Sequence, residues 1–344
     1  MAQKPASAFS QRSMRRFLLI LCVVILLLAA GLMAGGWWLF TTPLAPPHAV
    51  ALQIAPGSSL NRVAHNLEHQ GVIRHSLLLR VLAKWHKQEQ QIQAGQYSFV
   101  ASATPAEILE RLVRGDVDKI TLTIPEGFTL QQIINRIVES GYGNKPTLRQ
   151  LAYDPEFIAS LGVEADSLEG YLFPETYRFV PGTTEAALLR MMVAQFQRSL
   201  SEEKHEAARR LGLSVHEHVT LASIIEKETG VIDEMPLISS VFHNRLAINM
   251  RLQTDPTVIY GVEDYTGTIT RRHLNTPTPY NTYIIYGLPP GPIASPGRAA
   301  LRAAVFPEES DFYYFVSRGD GSHHFSRTLR EHNNAVQKYL RSRR

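Results

Sequence analysis

The chain has 344 residues, 44% hydrophobic and 19% charged, which suits one large domain or two to three modest ones with real cores. Its formal net charge is +4, and its basic residues are scattered apart from "RSMRR" and "RSRR" without interleaved aromatics, which excludes a nucleic-acid reader. The one cysteine, Cys22, lies in an apolar run, which excludes an internal disulfide and argues against thiol chemistry.

"FLLILCVVILLLAAGLMAGGWWLF", residues 17–40, carries no charge and is long enough to cross a hydrocarbon layer of roughly 30 Å. Arg12, Arg15 and Arg16 precede it and no Lys or Arg follows for many positions. The positive-inside rule therefore predicts a single-pass transmembrane helix with residues 1–16 in the cytoplasm and everything past Thr41 outside it. Trp37 and Trp38 fit an aromatic belt at the outer interface. The rival is a cleaved signal peptide, for which "LAAGLMAGG" offers small residues, but whose apolar region spans only about 7–15 residues. "TTPLAPPHA" then reads as a stiff linker, residues 41–48.

An internal echo follows. "PGSSLNRVAHNLEHQG" and "EGFTLQQIINRIVESG" align at constant offset, pairing Gly57 with Gly127, Ser59 with Thr129, Leu60 with Leu130, and Gly71 with Gly141. Each copy has a short strand ("AVALQI", "ITLTI"), a turn glycine, a Ser or Thr at the N-cap position, and apolar residues at helical spacing. The first copy runs on through "SLLLRVLAKWHK" into the strand-like "AGQYSFV". This strand–helix–helix–strand order resembles the LysM module, a βααβ domain that binds N-acetylglucosamine polymers; a generic scaffold repeat is the alternative. Residues 49–119 form this LysM-like subdomain and residues 120–344 a second, mixed α+β domain. "TPAEILERLVRG" and "TTEAALLRMMVAQFQRSL" add amphipathic helices. The remainder reads as loop-rich, and four prolines and three glycines between Gly287 and Gly297 exclude a helix or central strand there. Long ordered loops of this kind are expected to shape a binding cleft.

"SVHEHVTLASIIEKETG" predicts a helix capped by Ser214, running from Val215 to about Thr229 and stopped by Gly230. At about 100° per residue Leu221, Ile224, Ile225 and Glu228 share one stripe, with Glu226 on the far side. Burial and the negative end of the helix dipole both favour a protonated Glu228, as a general acid requires. The triplet "EKE" also reads as an ordinary charged helix end, with Glu226 and Lys227 exposed or neighbouring structural charges.

"LASIIEKET", "VFHNRL", "RLQTDPTVIYG", "YNTYIIYGLPPGPIASPG", the closing "HHF…HN" and the upstream "LEGYLFPETY" together resemble the bacterial endolytic murein transglycosylase family, the MltG or YceG-like proteins. The resemblance runs from the apolar helix to Asn333. It implies that Glu228, the second glutamate of the triplet, is the catalytic acid of a peptidoglycan lyase. It also implies cell inner-membrane anchorage with the catalytic part in the periplasm, and peptidoglycan synthases as partners. Such an enzyme cuts the MurNAc–GlcNAc β-1,4 bond inside nascent strands, leaves a 1,6-anhydroMurNAc end and terminates elongation. A hydrolytic muramidase with a second carboxylate, or a wall-binding adaptor without catalysis, are the alternatives.

Candidate sugar contacts are Gln253, Thr254, Asp255, Tyr260, Asn281 and Tyr283, with Tyr280 beside them; Asp255-Pro256 also reads as a turn. Glu169 and Glu175 are alternative acids. His323, His324 and His332 lack compact metal-site spacing, so no metal is expected. No nucleotide fingerprint is present and no cofactor is expected.

Overall fold

The computed structural model describes residues 11–262 and 265–341; residues 1–10 of the expected cytoplasmic N-terminus lie outside the described residues. Helices dominate, with three two-stranded sheets among the described residues. The chain divides after Ile120 into two compact units.

The first unit opens with α1, Gln11–Thr41, whose apolar side chains stand exposed. Its stretch Arg16–Thr41 has a mean hydropathy of 3.1 and is long enough to span a bilayer. The strand–helix–helix–strand order read from the sequence follows: β1 (Val50–Ile54), α2 (Leu60–His69), α3 (Ser76–Trp85) and β2 (Gly95–Phe99), with α4 (Pro105–Arg114) behind them. β1 and β2 pair antiparallel, Leu52 opposite Tyr97, and their inward residues meet Leu67, Leu79 and Leu112 in one core.

The second unit repeats the opening of the first. β3 (Ile120–Thr123) leads through α5 (Leu130–Glu139), α6 (Lys145–Ala152) and α7 (Pro155–Ser160) to β4 (Thr176–Phe179), which pairs with β3. The echo in sequence is an echo in backbone. Gly57 and Gly127 turn at φ of 77° and 72°, a left-handed conformation that side chains resist, and Ser59 and Thr129 accept from the third residue on, Arg62 and Gln132.

Helices α8 (Glu185–Ser199), α9 (Glu202–Arg210) and α10 (Val215–Glu228) come next. α10 is capped as expected, with Ser214 and Glu217 completing a capping box. Its stop differs from expectation. Thr229 swings to φ −144°, ψ 141°, and this extended residue, not a left-handed Gly230, ends the helix. His218 to Ile225 are all buried, so α10 is a core helix covered on every side and not one with a single buried stripe. Glu226 is consequently half-buried, not exposed: its carboxylate accepts the Gly297 N–H at 3.0 Å.

Beyond α10 the chain is more helical than its prolines suggested. A 3₁₀ turn at Ile232–Glu234 leads into α11 (Met235–Ala247), then α12 (Asp255–Gly261), α13 (Arg271–Asn275) and α14 (Arg298–Ala303). Asp255-Pro256 does not make a free turn; it opens α12, where a proline lacking an N–H costs nothing and an acid suits the first turn. The segment 287–297 has no regular structure, as expected; Pro290, Gly291 and Pro292 line a cavity of about 340 Å³, while the residues after them fill core. Ile293, Ala294 and Ser295 are buried, and Ile293 N–H donates to Ser223 Oγ of α10 at 3.0 Å. A hairpin of β5 (Tyr314–Ser317) and β6 (His323–Ser326) and the helix α15 (Leu329–Arg341) complete the unit.

Candidate active site

Glu228 is the last residue of α10, and its half-buried side chain lines a cavity of about 320 Å³ with Arg245, Gln253, Asp255, Tyr283, Tyr314, Phe315, Leu329 and His332. Burial raises its carboxyl from the ordinary carboxylate range to about 7. The Thr254 hydroxyl donates to Oε1 and holds the pKa down; the charge of Asp255 pushes it up, and that of Arg245 pulls it down. Near neutral pH the group is poised between acid and base, where proton transfer in both directions is most efficient.

Thr254 is itself held from several sides. Its N–H donates to Thr282 Oγ1 at 3.0 Å, and its carbonyl accepts from Thr257 Oγ1 at 2.8 Å. Both partners are fully buried. The preceding Gln253 adopts φ 49°, an uncommon value for a residue with a side chain, and its N–H donates to Thr282 carbonyl at 3.1 Å. The strained peptide and the threonine cluster aim the Thr254 hydroxyl at Glu228. Beside them Tyr283 donates its hydroxyl to Asp255 Oδ1 at 2.7 Å, which places a second carboxylate in the same cavity.

Of the predicted sugar contacts, the structure brings Gln253, Thr254, Asp255 and Tyr283 to Glu228 and keeps two away. Asn281 is buried and donates to the carbonyls of His273, Leu274 and Thr276, so its amide closes the end of α13 and has no hydrogen left for a ligand. Tyr260 donates to Glu169 Oε2 at 3.1 Å and tilts against Tyr280, their ring centroids 4.8 Å apart. Tyr280 lines a different cavity of about 340 Å³, which also reaches Glu169. Glu169 is itself buried, its carboxyl raised to about 7, but both oxygens accept the Leu130 N–H at the start of α5. Glu175 is exposed on the surface.

The sequence reading missed Arg245, which is buried in α11. It donates through Nε to Tyr313 carbonyl at 2.6 Å and through Nη1 to Leu252 carbonyl at 2.5 Å, and lies 5.3 Å from the Tyr314 ring centre. The signal was present: in "VFHNRL" three consecutive polar side chains interrupt an apolar run. His243 meets Ala304 carbonyl, Asn244 donates to Ser310 and Phe312 carbonyls, and Arg245 reaches the residues flanking the cavity. His243 thus ties α11 to the end of α14, while Asn244 and Arg245 tie it to the segment that leads into β5. His323 bonds Glu234 through Nδ1 at 2.7 Å and through its backbone N–H at 2.9 Å, tying the hairpin to the turn after α10.

The model of the YceG-like family matches residues 52–338. The chain belongs to the YceG-like family. It is 34% identical over 311 residues to a Bacillus subtilis protein named endolytic murein transglycosylase, covering 86% of each chain. A Streptococcus pneumoniae protein of the same name is 30% identical over 326 residues, which are 86% of this chain and 59% of that protein. A crystal structure of a yceG-like protein from Listeria monocytogenes superposes with a TM-score of 0.59 at 34% identity, covering 83% of this chain and 98% of the other.

Proposed function

We propose that the YceG-like chain is a peptidoglycan lytic transglycosylase in which Glu228 is the only catalytic acid. The observation that carries this reading is one carboxyl, raised to about 7, at a cavity wall with a hydroxyl donor fixed on one oxygen. Protonated Glu228 donates to the glycosidic oxygen as the C1–O bond breaks. The resulting carboxylate takes the proton of the C6 hydroxyl of the same N-acetylmuramic acid as O6 closes on C1. No water enters, and the ring closure gains by proximity what a second carboxylate supplies in a hydrolase. The Thr254 hydroxyl stabilises the carboxylate between the two proton transfers. Gln253, Asp255 and Tyr283 are the proposed sugar contacts.

Mass analysis of fragments from purified glycan strands tests this: each new end should be lighter by one water than a reducing end. A second reading, hydrolysis, is favoured by Asp255, which shares the cavity with Glu228. Fragments with ordinary reducing ends would establish it in place of the first.

We further propose that α1 anchors the enzyme once in the inner membrane with the second unit in the periplasm, where it ends the growth of nascent strands beside peptidoglycan synthases. The βααβ part of the first unit, LysM-like in its element order, would grip or space the strand. Protease added to intact spheroplasts should digest both units if this orientation holds; protection of both would reverse it.

A further inference from the structure

The cavity wall formed by the hairpin and α15 holds a polar group that the proton transfers above do not use. His332 lies in the first turn of α15, which is firmly set: Glu331 N–H donates to Thr328 Oγ1 at 3.2 Å, its carboxylate accepts Arg327 N–H at 3.0 Å, and His332 N–H donates to Thr328 carbonyl at 3.0 Å. The imidazole stacks on Tyr314, centroids 5.3 Å and planes 27° apart, and Tyr314 in turn carries the Arg245 guanidinium. The layered arginine, tyrosine and histidine all face the cavity of Glu228.

His332 Nδ1 is sealed from solvent and has no hydrogen-bond partner among the described residues. Packing alone gives no reason for such an atom, because a phenyl ring fills the same space without an unpaired nitrogen. Burial, with Arg245 and His324 adding to it, lowers the imidazole pKa, so the ring is neutral and carries one hydrogen. A sealed N–H without an acceptor is the rarer kind of orphan, which favours a lone pair on Nδ1. In that tautomer the hydrogen is on Nε2, the other nitrogen of a ring that lines the cavity.

We propose that His332 is a substrate-binding residue, its Nε2–H donating to an amide carbonyl oxygen of the N-acetylated sugar held against Glu228. This rests on the reading of the cavity as a glycan cleft. Detergent-solubilised full-length chain carrying Glu228→Gln should be titrated calorimetrically with an alternating N-acetylglucosamine–N-acetylmuramic acid tetrasaccharide, with and without His332→Phe. The phenyl ring keeps the stack and should weaken binding roughly tenfold, the size of one lost hydrogen bond. With Glu228 intact, the same substitution should raise KM with little change in kcat or melting temperature, and His332→Gln should recover part of the loss. A binding parent that His332→Phe leaves unchanged overturns this assignment alone, as does equal loss in both variants with a lowered melting temperature. A chain that neither binds as Glu228→Gln nor cleaves with Glu228 intact overturns the glycan reading and this assignment with it.

Discussion

Two glutamates in the second unit, Glu228 and Glu169, are both pushed to about 7 by burial, and both accept a hydroxyl hydrogen bond. Only their surroundings separate them. Glu169 has both oxygens on the Leu130 N–H and one on Tyr260, which fastens the start of α5 to the loop before β4. Glu228 has one oxygen on Thr254 and its side chain on a cavity wall. A raised pKa marks a buried acid, whereas catalysis also needs a free lone pair within reach of substrate. Both acids reach a cavity, of about 340 and 320 Å³, so the engagement of both Glu169 oxygens is what separates them, and on that ground we propose Glu169 as a structural pin and Glu228 as the working group.

The comparison can be broken most directly by exchanging each acid for its amide. Glu228→Gln should reduce strand cleavage on the order of a thousandfold while leaving glycan binding, and Glu169→Gln should leave cleavage within a few-fold. Near-normal turnover by Glu228→Gln would overturn the assignment. Asp255→Asn should slow cleavage about tenfold yet keep the anhydro end, since it removes the negative charge beside Glu228 without removing the acid, while the amide oxygen still accepts from Tyr283. A loss as large as that of Glu228→Gln would make Asp255 a second catalytic carboxylate.

Smaller effects sharpen the contrast through pH. Glu228 must be protonated to act as the acid, so kcat/KM should fall as pH rises through about 7. Thr254→Val removes the donor that favours the carboxylate, so that limb should move to higher pH with a several-fold lower maximum rate. An unmoved limb would mean another group controls it. For Glu169 the sign runs through stability. The folded state keeps its proton up to about pH 7, whereas the unfolded chain loses it near 4.5, so stability falls as pH rises between those values. The full difference is about 3 kcal/mol, and Glu169→Gln abolishes it. Melting of variant and wild type at pH 5 and pH 8 should show the variant gaining at the higher pH. The smallest effect is Ser214→Ala, which should cost about 1 kcal/mol by uncapping α10.

Local patterns were enough, in the sequence alone, for the features whose physics is local. The apolar length of α1, the caps at Ser59, Thr129 and Ser214, the turn glycines of the echo, and Glu228 at the end of its helix all depend on near neighbours. Tertiary structure decided what depends on distant partners. It buried every side of α10 and drew Glu226 onto Gly297. It committed Asn281 to the end of α13 and Tyr260 to Glu169, and it carried Arg245 and His332 to the cavity from segments far apart in the chain. Spacing along a helix tells which side chains share a face, but only the packed neighbours decide whether that face meets core, solvent or a cleft.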